Sequence, residues 1–380
     1  MTEPEIVFCD PVVGSAPLRL LVFADMLGAS QSIAFVEGLS GARGRGEAAV
    51  TIVEESTLGA DAASRASADA AELVEALFER ADPTCVVLSR FGLAGATEAI
   101  FGQARRRGLP VVFHIDDDLM DLPVTAGVER YRSARHPRRA HVQHRAMSDA
   151  DLVMAATPAL ADALARRLGH ARIGWLENGT AGVPAPRRAR HVGPVVVGYM
   201  GSASHDADLR MIAPALNALM ERGADIRLEL FGSIARQPAA HLLPGQVVRH
   251  DPVEGDYAAF RRHLAGLGWD VGLAPLADGP YNRCKTATKW AEYAEAGMAV
   301  LASDMPVYAP IIAADAAWPA GPDAWGPALE RLLGSAELRA QLVRGADALL
   351  AGRYGWDRLE ASVLSLLHRA SGAARRRAAS

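Results

Sequence analysis

Short apolar runs alternate with segments of helical spacing along almost the whole chain. That alternation confines the fold to one class, because a strand that is apolar on both faces is stable only between two layers of helices. Leu18 to Phe23, Ala48 to Val53, Cys85 to Leu88, Pro110 to Ile115 and Asp151 to Ala156 read as buried strands. Ala68 to Arg80 places Ala71, Val74, Leu77 and Phe78 on one side, and Ala94 to Arg107 and Thr157 to Leu168 read as further helices. The same rhythm resumes at Val195 and runs to Asp304. An α/β protein built on parallel sheets is expected.

At 380 residues the chain is long for one domain and suits two of about 180. Pro184 to Pro194, rich in Pro and Arg and without periodicity, reads as the linker. A first domain over 1–183, a second over 195–352 and a final segment over 353–380 follow. In the last segment Trp356 to Ala370 is a helix and Arg375 to Ser380 a frayed basic tail. Half the residues are hydrophobic and 22% are charged, enough for sizeable cores. A net charge of -4 gives no general attraction to nucleic acid, which is not an expected partner. Cys9, Cys85 and Cys284 are odd in number and far apart, which suits a reducing cytosol rather than a disulfide framework or zinc site. Met1 to Glu5 lacks signal-peptide features, and no run approaches the roughly 20 apolar residues of a membrane span. A cytoplasmic location is expected.

Asp270 to Asp304 carries the densest signal. Asp270 to Leu276 reads as a buried strand, Asp-Gly-Pro as a turn, Lys285 to Ala296 as a helix ending at Gly297, and Ala299 to Ser303 as the next strand. On such a helix Lys285, Lys289 and Glu292 fall at i, i+4 and i+7 and share a face. Two lysines in the first turns oppose the helix dipole, which is explained if they hold an anion such as a diphosphate at the helix N-terminus. Glu292 could then accept from a sugar diol, as a carboxylate does in dinucleotide sites, while Glu295 is turned away. A surface helix with Lys289 and Glu292 as a solvated pair is the alternative.

Two other stretches end apolar strands with polar residues. Val195 to Met200 leads into Gly201-Ser202, where a glycine lets backbone amides approach a phosphate. Pro110 to Ile115 ends in Asp116, Asp117 and Asp118, and function collects at the carboxyl ends of parallel strands. A divalent-metal site, a phospho-acceptor site and helix capping compete there. The chain is too long for a phospho-acceptor receiver domain and has no matching lysine pattern. Asp118 is assigned to capping before Leu119. Glu129 to Arg145 is crowded with Arg and His, which reads as a solvated helical face or as a basic interfacial surface.

The segment from Asn282 to Ser303, with Lys285, Lys289 and Glu292, resembles the donor-site segment of retaining glycosyltransferases of family 4. So do Val195 to Ser202, the strand ending in Asp116 to Asp118, and the Thr157-Pro158 step. The resemblance implies the GT-B fold: two Rossmann-like domains with parallel sheets facing a central cleft, and a last helix packing back on the first domain. It implies a transferase moving a sugar from a nucleotide-diphosphate sugar to an acceptor hydroxyl, with retention and without cofactor or metal. Glu292 matches the glutamate that holds the ribose, whereas Cys284 stands where the family has its other glutamate. Gly201, Ser202, Asn282, Lys285 and Lys289 would bind the diphosphate, and Phe231, Gly232 and Ser233 would wall the base pocket. Asp116 or Asp117 would act on the acceptor hydroxyl or sugar. The acceptor is expected to be a small molecule, a glycan or a lipid-linked group, the last with peripheral contact at the inner membrane face. A metal on Asp116 to Asp118 would instead suit the GT-A fold. A GT-B epimerase or hydrolase, or a silent nucleotide-binding subunit, are the other readings.

Overall fold

The computed structural model describes residues 6–10, 16–58, 67–126, 128–170, 172–176, 193–202, 205–236, 242, 247–253 and 255–379. Met1 to Glu5, Glu177 to Thr180 and nearly all of the expected linker lie outside the described residues. The chain divides into two compact units. One comprises Met1–Met120, Ser133–Asn178 and Trp356–Ser380, the other Asp121–Arg132 and Gly179–Gly355.

The first unit holds a seven-stranded sheet. Its strands are β1 (Phe8–Cys9), β2 (Leu18–Ala24), β3 (Ala48–Glu54), β4 (Cys85–Ser89), β5 (Val111–Ile115), β6 (Leu152–Ala155) and β7 (Ile173–Trp175). They lie in the order β1-β3-β2-β4-β5-β6-β7, parallel except for β1, which pairs antiparallel with β3 at one edge. Every residue of β4, β5 and β6 is buried, as continuous apolar runs require when both faces are covered. Chain order reverses between β2 and β4, so their carboxyl ends flank a topological switch point.

The last helix, Trp356–Ala379, belongs to this unit. Glu360 near its start accepts from the Ala42 amide at 2.7 Å and from Arg45 at 2.7 Å. Near its end Arg377 pairs with the buried Asp151, whose other oxygen accepts from the Val111 amide at 2.9 Å. The expected frayed tail from Arg375 is therefore helical through Ala379, because Arg377 is anchored on a buried carboxylate.

The second unit holds a six-stranded, all-parallel sheet. Its strands are β8 (Val195–Met200), β9 (Ile226–Phe231), β10 (Val247–His250), β11 (Val271–Ala274), β12 (Ala299–Ser303) and β13 (Trp318–Ala320), in the order β10-β9-β8-β11-β12-β13. The reversal here lies between β8 and β11. Gly198 and Gly272 face each other across that pair. A Cβ at Gly198 would lie 1.9 Å from the Trp269 ring, and one at Gly272 would lie 2.5 Å from the Tyr293 ring. Two bare positions thus let two aromatic rings, 6.2 Å apart, seal the sheet beside the switch point. Strands β1, β10 and β13 have no apolar signature, since each is a short edge, and Pro319 is tolerated on one.

Candidate functional site

In the second unit the polar residues converge on the carboxyl ends of β8 and β11. The helix Thr288–Glu295 supplies most of them. Lys289 Nζ donates to the Met200 carbonyl at 2.7 Å and lies 4.3 Å from the centroid of the Tyr199 ring. One turn on, Tyr293 Oη accepts from the Met200 amide at 2.9 Å. The two residues are i and i+4, so one helix face holds both peptide groups of the last residue of β8. Burial brings the Lys289 ammonium down to about 8, against the opposing pull of Asp208 and Glu292.

Glu292 is buried on the same helix, with Tyr257 Oη donating to its Oε1 at 2.9 Å. Burial raises its carboxyl to about 7, although Tyr257 and Lys289 favour the ionised form. Tyr257 opens the helix Tyr257–Leu267, capped by Asp256, and stacks on Phe260, which stacks on Phe231. An aromatic column therefore ties the end of β9 to Glu292.

The structure corrects the helix geometry expected from sequence. The helix starts at Thr288, and a separate short helix spans Pro280–Arg283. The Cys284 and Lys285 amides close that first turn by donating to the Tyr281 and Asn282 carbonyls, so Lys285 is off the helix and shares no helical face with Lys289. It lies instead with its ammonium 4.8 Å from the Tyr281 ring centroid, near enough to depress Lys289. Asn282 holds the loop by donating to the Ala277 carbonyl at 2.8 Å. Glu295, expected to face away, is buried and paired with Arg261 at 2.8 Å. The solvated-pair alternative does not hold, because Glu292 is buried and the half-buried Lys289 bonds the Met200 carbonyl.

Gly201 follows β8 directly, and its carbonyl accepts from the Ile234 amide at 3.1 Å. Gly232 has φ +95°, and a Cβ there would stand 2.6 Å from the Gly201 oxygen, so only glycine lets the two loops meet. Ser202 and Ser233 flank this junction, Ser233 opening a short 3₁₀ turn to Arg236. Phe231 is fully enclosed, between Phe260 and His263, so what it can offer a ligand is backbone.

In the first unit Asp116 follows β5. Ser30 donates to its Oδ2, and Arg90 reaches it at 3.3 Å. Arg90 follows β4 and also pairs with Asp25, the residue after β2, at 3.0 Å. One guanidinium thus joins two carboxylates across the switch point. Arg90 has φ +51°, and its carbonyl accepts from Gln143 at 2.6 Å and Arg139 at 2.9 Å, which fix that unusual backbone. Burial raises the Asp25 carboxyl, against the pull of Arg90. His114, inside β5, is held by Ser89 at 2.8 Å and kept neutral by burial, its imidazole lowered to about 4. Asp117 is half-buried beside them. Asp118 is not a cap: it is buried and paired with Arg167. Among the described residues no group of three or more His, Cys, Asp or Glu side chains is placed to hold a metal ion.

The basic segment forms the helices Val128–Ala134 and Pro137–Asp149. Arg132, Arg135, Arg138 and Arg145 are exposed, while Arg139 and Gln143 turn inward to Arg90. Among the described residues no helix is long and apolar enough to cross a membrane. Asp25, Arg90, His205, Asp208 and Tyr257 were not among the sequence candidates. The strand-end rule that picks out Asp116 applies equally to Asp25 and Arg90.

No family model matches the chain, and no curated protein matches it. Solved structures do. The chain is similar to the trehalose-6-phosphate synthase OtsA, with 14% identity over 92% of this chain and 99% of that one and a TM-score of 0.62. It is similar to Anabaena HepE in complex with UDP-glucose, at 14% identity over 92% and 99% with a TM-score of 0.63. It is also similar to a mutant of S. aureus TarM in complex with fondaparinux, α-GlcNAc-glycerol and UDP, at 10% identity over 78% of this chain and 58% of that one with a TM-score of 0.57. At these identities the likeness establishes architecture: the chain has the GT-B fold, two Rossmann-like α/β domains with parallel sheets.

Proposed function

We propose that the chain is a glycosyltransferase that moves a sugar from a nucleotide-diphosphate sugar to an acceptor hydroxyl. The observation that carries this reading is the placement of Lys289 and Glu292 on one helix at the second unit's switch point. A switch point is where open α/β sheets bind nucleotides. A half-buried cation and a buried carboxylate one turn apart there suit a diphosphate and a ribose diol. HepE, which shares the fold, has been solved with UDP and with UDP-glucose.

On this reading Lys289 and Lys285 offset the charge that builds on the departing diphosphate, and the turn at Gly201 and Ser202 lets the phosphates come close to the backbone. Asn282 keeps the 277–282 loop in place for them. Glu292, held by Tyr257, accepts from the ribose. The backbone of Phe231 to Ser233 borders the base. Asp116, with Asp117 beside it, serves the acceptor hydroxyl or the transferred sugar from the first unit. Retention, a glycan, glycolipid or natural-product acceptor, and a cytoplasmic setting complete the proposal. It needs no divalent metal, and turnover is expected to survive a chelator. Loss of activity with EDTA, restored by manganese, would return Asp116 and Asp117 to a metal role.

Thermal melting of the full chain against a panel of nucleotide-diphosphate sugars tests the reading, since a ligand of the native state raises the midpoint by mass action. At least one donor is expected to raise it, and its sugar-free diphosphate to do the same. A panel without any response would remove the support for a donor site.

A further inference from the structure

His205 sits just beyond β8 and ahead of the helix Asp206–Glu221, at the same switch point. The residue is held at three points, one on its ring and two on its backbone. Nδ1 bonds Asp208 Oδ2 at 3.1 Å, the His205 carbonyl accepts from Tyr199 Oη at 3.2 Å, and the His205 amide donates to the Ser202 carbonyl at 3.0 Å. Asp208 is itself buried and fixed from across the crevice, its Oδ1 accepting from the Ala277 amide after β11 at 3.2 Å. The ring lies against Gly201: a Cβ there would be 3.3 Å from His205 Cδ2, the carbon bonded to Nε2. Among the described residues Nε2 has no hydrogen-bond partner.

We propose that His205, oriented by Asp208, is a ligand of the donor diphosphate, with Nε2 as its hydrogen-bonding atom. This rests on the second unit being the donor site. Three features support it. The ring is pinned at Nδ1 and left open at Nε2, the arrangement by which a carboxylate orients an imidazole toward a ligand. It adjoins the Gly201 turn and Lys289, which already suit phosphate. It also supplies a donor in a loop that contains no Lys or Arg between Met200 and Asp208.

The charges around the ring set when Nε2 can donate. Asp208 and Asp206 lie on its own helix, Lys289 and Lys285 on the facing segment, and Tyr199 packs from β8. Burial, then Lys289 and Lys285, lower the imidazole to about 4 against the pull of Asp208, so the free protein holds it neutral. With Nδ1–H on Asp208, Nε2 donates only as imidazolium. A diphosphate offsets both lysines, which raises the imidazole and draws a proton from solvent onto Nε2. Asp208, held ionised by His205 despite its burial, stabilises the cation.

The test uses the full chain with uridine, guanosine, adenosine and thymidine diphosphates and the corresponding nucleosides. Calorimetry is run at pH 6 in two buffers of different ionisation enthalpy. His205→Asn keeps an amide toward Asp208 and removes Nε2, whereas His205→Gln reaches the Nε2 position. Melting midpoints of both variants confirm folding. Expected for His205→Asn is a loss of about tenfold or more in diphosphate affinity, the size of a charged hydrogen bond. Nucleoside affinity stays unchanged and proton uptake falls below wild type. His205→Gln is expected to recover part of the affinity. Wild-type diphosphate affinity and proton uptake in folded His205→Asn would overturn the role of His205 while leaving the donor site standing. Wild-type protein that binds none of the four diphosphates would overturn both.

Discussion

Tyr257 Oη donates to Glu292 Oε1 at 2.9 Å, and this is the only hydrogen bond from the described residues to a buried carboxylate that burial has raised to about 7. Glu292 is therefore under-solvated in the free protein, a state that a ribose diol would relieve with two further hydroxyls.

The first prediction is that Glu292→Gln stabilises the fold while it weakens donor binding. The folded-state pKa is above the unfolded value of about 4.5, so the cost is absent below that pH. It grows between pH 4.5 and 7, as the unfolded carboxylate ionises first, and is constant above. Gln keeps the acceptor for Tyr257 without the charge. At pH 8 the variant should gain up to about 3 kcal/mol from the shift at 1.36 kcal/mol per unit, and converge with wild type below pH 4.5. Nucleoside-diphosphate affinity should fall about 10-fold or more. Denaturant melts at the two pH values and calorimetry check it. A variant less stable than wild type at pH 8 contradicts it.

The second prediction concerns Lys289, brought down to about 8. A diphosphate favours the ammonium, so affinity should hold at pH 7 and fall about tenfold by pH 9 as the free lysine deprotonates. Lys289→Met should bind weakly at both values, with the pH slope removed. The same depressed pKa makes the charge-burial cost full below pH 8, relieved as pH rises from 8 towards 10.5. An unchanged pH slope in Lys289→Met would show that another group titrates.

The third prediction separates Asp116 from Arg90. Asp116→Asn should cut turnover about 100-fold or more if the carboxylate handles a proton, with diphosphate affinity unchanged because the proposed donor site is in the other unit. Arg90→Met leaves Asp25 and Asp116 without their shared cation and should cost about 3–5 kcal/mol of stability. Wild-type turnover in Asp116→Asn would remove it from the reaction.

Much of this was legible in the sequence, and the misses have physical causes. Parallel central strands are buried on both faces, so β2 to β6, β8, β9, β11 and β12 stand out as apolar runs. Edge strands β1, β10 and β13 are held by partners rather than by their own composition. Lys289 and Glu292 lie on one helix, as their spacing predicts. Composition extends the helix back to Lys285, yet the Lys285 amide closes the preceding turn on Asn282 and the helix starts at Thr288. Glu295 reads as surface because its partner Arg261 lies on a different helix. Arg90, Asp25, Tyr257 and His205 carry no periodic signal. Their contacts form only when the fold brings distant segments together.

The most direct measurement is product formation. The purified chain is incubated with the nucleotide-diphosphate sugar that raises its melting point, with and without a panel of hydroxyl acceptors including glycans and glycolipids, and the products are followed by mass spectrometry. A glycosyltransferase gives acceptor-dependent release of the nucleoside diphosphate with matching sugar on the acceptor, in wild type and far less in Lys289→Met. Donor consumed equally without acceptor, as free sugar or an epimer, would contradict sugar transfer.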